Sequence, residues 1–209
     1  MINSEKPYDE IAEILKEKDA RLKQIIESVK DPIVPEPSVD IYFDLLQSIV
    51  SQQLSVKVAA IIWQRFLDLF PDQYPTDCVL QQETDEVLRG VGLSRQKANY
   101  LRNVATFSIE NGMDFELLSA KTDDEIIAYL TQIKGVGKWT VQMVLMFPMD
   151  RPNVFPVDDL GIQTKMIGHY NLKGEKKELR KQMLAIAESW EPYCSLASKY
   201  LWGSTLNVI

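Results

Sequence analysis

Apolar residues recur along this chain at the spacing of helices. In "YDEIAEILKEKDARLKQIIESV", Ile11, Ile14, Leu15, Leu22, Ile25 and Ile26 fall near one face, which predicts one amphipathic helix. Pro32, Pro35 and Pro37 then break the pattern and predict a linker. "DIYFDLLQSIVSQQL" and "SVKVAAIIWQRFLDLF" predict a second and a third helix, the latter closed by Pro71. "DEVLRG" predicts a short helix with Gly90 just past its end. "SRQKANYLRNVATFSIENG" opens on Ser94, a good cap, and stops near Gly112. "TDDEIIAYLTQIKG" carries Thr122 and Glu125 at capping-box spacing. "KGVGKWTVQMVLMF", "DDLGIQTKMIGHY", "GEKKELRKQMLAIAESW" and "SLASKYLWGSTL" bring the total to about ten helices with short connections. No alternating run is bounded by Asn-Gly or Asp-Gly, so the predicted class is all-α. Tyr42 and Trp63 lie on apolar helices and read as core.

At 209 residues the chain is ample for a real core. Hydrophobic residues at 45% and charged ones at 25% fit a soluble domain. No apolar run approaches the roughly 20 residues of a membrane helix. The start, "MINSEKPYDEIAEILKEKDA", has no apolar signal core. The expectation is a cytoplasmic protein, nucleoid-associated if bacterial, with no membrane partner. Cys78 and Cys194 stand far apart without a CxxC companion, and His169 is the sole histidine. Neither a disulfide scaffold nor a cysteine metal site is supported, and a three-histidine or His/Cys zinc site is excluded. The net charge of −7, from 23 basic and 30 acidic residues, speaks against a nucleic-acid partner. Local distribution outweighs that total, because amides at a helix N-terminus hold phosphates without any lysine.

Two segments, "LRGVG" and "IKGVG", nearly repeat each other between predicted helices. The first reads as a plain helix-ending turn. The second lies inside "IAYLTQIKGVGKWTVQMVLMF", a helix, a tight turn and a helix. Gly135 and Gly137 permit positive φ or close backbone approach. Amides near Gly137 would then open the next helix at its positive end, flanked by Lys134 and Lys138, where an anion such as a DNA phosphate fits.

"LTQIKGVGKWTVQMVL" resembles the helix-hairpin-helix motif of the base-excision DNA glycosylases. "NVFPVDDLGIQ" follows it, as a Pro-rich loop with an aspartate follows the hairpin in that superfamily. "FDLLQSIVSQQLSVKVAA", "GLSRQKANYL" and "WEPYCSLASKYLW" resemble segments of its 3-methyladenine DNA glycosylase II branch. The resemblance covers roughly residues 40–203 in family order. It implies a single all-α glycosylase domain, 1–209, of two helical lobes with a cleft between them. The N- and C-terminal helices would form one lobe and about 45–160 the other, with the hairpin at about 123–147. It also implies the compact form, without the N-terminal β domain of some bacterial relatives.

The resemblance implies site residues too. Asp159 fits the family pattern of a Pro, two variable residues and Asp-Leu-Gly, and would be catalytic. Asp158 is its rival if the alignment shifts, and either residue also reads as a helix cap. Trp139 stands where backbone-cutting relatives carry a nucleophilic lysine, which implies a monofunctional enzyme with water as nucleophile. Trp139, Met143, Leu160 and Trp202 fall at base-pocket positions, with core packing the plain alternative for the tryptophans. Some relatives have tyrosines where this chain has Met143 and Leu160, so the walls offer less stacking. In "SQQLS", Gln53 or Leu54 would be the wedge that fills the gap left by the flipped base, supported by Gln52. A polar junction between helices is the alternative.

Further DNA contacts would come from Ser94, Arg95, Lys97, Lys134, Gly135, Val136, Gly137, Lys138 and Thr140. The backbone carbonyls of Thr131, Ile133 and Val136 would hold a monovalent cation, Na⁺ or K⁺, with no other cofactor required. Cys194 replaces a common family arginine, and the iron–sulfur cluster of some cousins would be absent. The implied partner is double-stranded DNA with alkylated bases such as 3-methyladenine or 7-methylguanine, met by a monomer. Three alternatives remain at this point: a non-catalytic DNA-binding module; a glycosylase for uracil, hypoxanthine or mismatched thymine; and a helical interaction domain that avoids DNA.

Overall fold

The structure, a computed structural model, describes residues 7–30 and 37–206. Thirteen α-helices and one 3-10 turn form among them, and no strand. In chain order they are α1 (Tyr8–Lys18), α2 (Ala20–Ser28), α3 (Ile41–Ser51), α4 (Val56–Leu67), α5 (Asp77–Gln82), α6 (Asp85–Gly90) and α7 (Arg95–Asn111). Then come α8 (Phe115–Ser119), α9 (Asp123–Leu130), α10 (Lys138–Met146), α11 (Leu160–Tyr170), α12 (Lys176–Glu188) and α13 (Cys194–Gly203). The all-α class expected from the sequence is the class observed. No helix among the described residues is long and apolar enough to cross a membrane. The helices sort into two units, 1–37 with 145–209, and 38–144. Residues 145–160, expected among the middle helices, cluster with the terminal ones. Pro32 and Pro35 of the expected linker lie outside the described residues.

The terminal unit packs Leu15, Leu22, Ile162, Met166, Trp190 and Leu201 into one core. Its first helix is not continuous as expected; it breaks at Asp19, whose backbone is extended at φ −142, ψ 109. The Asp19 carboxylate accepts from the amides of Arg21 (2.8 Å) and Leu22 (2.9 Å), capping α2. Its other oxygen accepts from the Tyr170 hydroxyl (2.7 Å) and the Trp190 indole N–H (2.9 Å). Burial works against ionisation there, but these four donors outweigh it and hold the carboxyl below the usual range. The apolar face runs on across the break, so periodicity alone could not reveal it. In the same unit the buried Lys199 ammonium meets the Asp150 carboxylate at 3.1 Å, and the Tyr8 hydroxyl donates to the same oxygen at 2.5 Å. Removing one partner of such a pair costs on the order of 3–5 kcal/mol. The pair therefore fixes α1, α13 and the loop after α10.

The middle unit is built around α7, which packs against α3, α5 and α6. Leu45, Leu46, Ile49, Phe66, Leu80 and Leu101 are fully buried, and Tyr42 and Trp63 join this core as expected. Two of its helices, α5 and α8, are too short to show a helical period in the sequence. Ser94 caps α7, and the Thr122–Glu125 capping box closes in both directions. Gly90 is the last residue of α6 rather than the residue beyond it. The left-handed position falls instead to Gly92, at φ 106.

Candidate functional site

The hairpin between α9 and α10 rests on α7. Gly135 sits at φ 109, and a Cβ there would lie 2.1 Å from the ring of Tyr100. Only glycine fits that contact. Asn103 donates to the Lys134 carbonyl at 2.9 Å, and the Val136 amide closes the turn onto Ile133 O at 3.0 Å. Gly137 is the opposite case: a Cβ there would meet nothing within 4 Å. No internal packing demands this second glycine. Its bareness leaves exposed backbone at the positive end of α10, with Lys134 and Lys138 exposed on either side. Val136 and Thr140 are buried and support the turn from within.

The carbonyls of Thr131, Ile133 and Val136, expected as cation ligands, are neutral hard oxygens. Ile133 O spends one lone pair on the Val136 amide and keeps a second. Such a set suits a weakly held monovalent ion. No cluster of His, Cys, Asp or Glu able to hold a metal occurs among the described residues.

The loop after α3 turns back at Ser51–Leu54. The Leu54 amide donates to Ser51 O at 3.2 Å; Gln52 has φ −50, ψ 132 and Gln53 φ 58. These values describe a type II turn, whose third position favours glycine. Glutamine occupies it here and is exposed, whereas Leu54 is half-buried. Lys97, expected among the phosphate contacts, donates its ammonium to the carbonyls of Val50 and Gln52, each at 2.7 Å, and partial burial lowers its pKa. Gln52 donates to Thr140 Oγ1 at 3.3 Å. Ser94 accepts from the Lys97 amide as a cap, and Arg95 lies exposed beside Asp85 at 3.5 Å.

In the terminal unit, Asp159 caps α11. Its Oδ1 accepts from the Ile162 amide (2.8 Å) and from the Trp202 indole N–H (2.9 Å). Gly161 makes this possible, since a Cβ there would lie 3.0 Å from that oxygen and 3.2 Å from the indole. Trp202 stacks on Phe147, centroids 5.7 Å apart. Asp158 points elsewhere, into an exposed ion pair with Arg180 at 3.1 Å. Leu160 is 76% exposed. Trp139 (38% exposed) and the half-buried Met143 belong to the middle unit. Cys194 lies in the terminal core, where burial pushes its thiol up to about 12. Sequence reasoning missed Tyr100, Phe147 and Gly161. Of these only Gly161, in the Asp-Leu-Gly run, left a signal.

An all-helical fold with a bare-turned hairpin and a doubly held aspartate after a Pro-rich loop defines a class. The chain belongs to the HhH-GPD superfamily of base-excision DNA repair proteins, whose family model matches residues 46–192. Within it the chain is of the 3-methyladenine, or alkylpurine, glycosylase II type. It is 35% identical over 179 residues to the putative DNA-3-methyladenine glycosylase YfjP of Bacillus subtilis, across 83% of this chain and 61% of that protein's length. It is 33% identical over 166 residues to DNA-3-methyladenine glycosylase 1 of Schizosaccharomyces pombe, across 78% of this chain and 72% of the relative. Among solved structures, S. pombe 3-methyladenine DNA glycosylase (Mag1) in complex with abasic DNA superimposes with a TM-score of 0.80 at 28% identity, covering 92% and 95% of the two chains. A DNA-3-methyladenine glycosidase from Bacillus halodurans gives a TM-score of 0.78 at 32% identity, covering 95% and 88%.

Proposed function

We propose that this chain, acting as a monomer on double-stranded DNA, excises alkylated purines as a monofunctional glycosylase. The observation that carries this reading is the fixed carboxylate of Asp159, with two N–H donors on Oδ1. Breaking an N-glycosidic bond builds positive charge on the sugar. A carboxylate already oriented stabilises that charge without reorganising, and it also orients the attacking water. A methylated purine is itself cationic and leaves readily, so no general acid is needed, in keeping with a single histidine. Trp139 offers no amine at the hairpin position where backbone-cutting relatives carry lysine, which leaves water as the nucleophile.

Gly137 and the first turn of α10 would receive a backbone phosphate. Thr131, Ile133 and Val136 would hold Na⁺ or K⁺, which when bound supplies positive charge to that phosphate. Gln53, exposed on its turn, would be the wedge; Trp139 and Met143 of the middle unit, and Leu160 and Trp202 of the terminal unit, are the residues proposed for contact with the flipped base.

The test is release of free bases from methylated duplex DNA, resolved by chromatography, with borohydride trapping alongside. The expected result is free 3-methyladenine or 7-methylguanine, no trapped adduct, and strand breaks only after alkali. Binding without release of any base would leave a non-catalytic module instead. A trapped adduct would contradict the monofunctional reading.

A further inference from the structure

The turn at Ser51–Leu54 poses a question of its own. Gln53 holds φ 58 in a type II turn where glycine would be unstrained. Left-handed backbone at a non-glycine residue persists only where its surroundings over-determine it. The surroundings here are specific. Lys97 reaches from the first turn of α7 to the end of α3 and donates to two carbonyls there, Val50 O before the turn and Gln52 O within it. A cation at a helix C-terminus satisfies orphan carbonyls and suits the helix dipole. The Gln52 amide group ties the same turn to Thr140, a buried residue in the first turn of α10. All these residues belong to the middle unit, which also carries the hairpin.

We infer that Lys97 is a positioning residue: its ammonium holds the strained turn in shape, so that the Gln53 side chain is presented outward on the same body as the hairpin. Phosphate binding at Gly137 then delivers a preformed wedge to the base stack, with little ordering left to do on the DNA. Lys97 acts through Gln53 and not through a phosphate of its own. This rests on the duplex-binding reading above, but not on base excision.

The test is a double-mutant cycle on a duplex with a tetrahydrofuran abasic analogue and 2-aminopurine next to it. Fluorescence reports insertion into the stack, and anisotropy reports affinity. Lys97→Met and Gln53→Gly should each reduce the fluorescence change and weaken binding about tenfold, the scale of one charge-assisted hydrogen bond. The double variant should be no weaker than Gln53→Gly alone, and Lys97→Arg should retain most of the signal. Gln53→Gly should also raise the melting temperature, because glycine relieves the turn. Independent, multiplying losses would overturn the inference and make Lys97 a phosphate contact. So would an unaffected Lys97→Met. If Lys97→Met does not fold, the isosteric Thr140→Val carries the same cycle through the other tether. The abasic analogue has no base to release. A protein that inserts here yet frees no base from methylated DNA would sink the glycosylase reading alone.

Discussion

At Gly161 one missing methyl group decides whether an indole can reach a carboxylate. A Cβ would crowd Asp159 Oδ1 at 3.0 Å and the Trp202 ring at 3.2 Å, so alanine must push the two apart. The Trp202 side chain has two duties, a stack on Phe147 and a hydrogen bond to Asp159. Trp202→Phe separates them, keeping a ring and deleting the donor. Single-turnover base release should then fall about tenfold, as one charge-assisted hydrogen bond implies. Gly161→Ala should cost more, on the order of a hundredfold, because it displaces the carboxylate itself. A Trp202→Phe variant at the wild-type rate would show that the indole N–H does not hold the group that reacts.

At the scale of elements, the two glycines of the hairpin are opposites. Gly135 serves the fold: positive φ and the Tyr100 ring both forbid a side chain. Gly135→Ala should destabilise the protein by about 3 kcal/mol, from the left-handed backbone plus overpacking. Gly137 serves the surface. Gly137→Ala should leave the melting temperature nearly unchanged, yet weaken DNA binding by blocking backbone approach to a phosphate. Thermal melts and anisotropy titrations on both variants check this, and equal loss of stability would contradict it. The glycine pair was legible in the sequence as a turn before a helix. The division of labour was not, because Tyr100 belongs to α7 and meets Gly135 only in three dimensions. Lys97 was hidden in the same way. Its carbonyl partners, Val50 and Gln52, lie at the end of another helix, so its hydrogen bonds could not be read from a capped first turn.

At the scale of the whole molecule, helical periodicity and caps were enough for the all-α class, since each long helix carries its own apolar stripe. They failed where tertiary contacts overrule the stripe, as at Asp19, whose partners Tyr170 and Trp190 come from the far end of the chain. The unit boundary was equally out of reach, because α10 crosses it without a break in pattern. The net charge of −7 is compatible with a DNA partner, because the hairpin offers backbone amides and only a few cations. The proposed chemistry rests on one carboxylate. Its neighbour supplies the internal control, for Asp159 is bound to Ile162 and Trp202 while Asp158 is spent on Arg180.

The most direct measurement is therefore single-turnover release of 3-methyladenine from methylated duplex DNA by wild type, Asp159→Asn and Asp158→Asn. Asparagine still caps a helix, so the first substitution removes charge and keeps the fold. Asp159→Asn should lose on the order of a hundredfold to a thousandfold in rate, the scale of a lost electrostatic stabiliser, while still binding DNA. Asp158→Asn should stay within a few-fold of wild type, as expected for an exposed ion pair. An Asp159→Asn protein of near wild-type activity, or an inactive Asp158→Asn, would contradict the account.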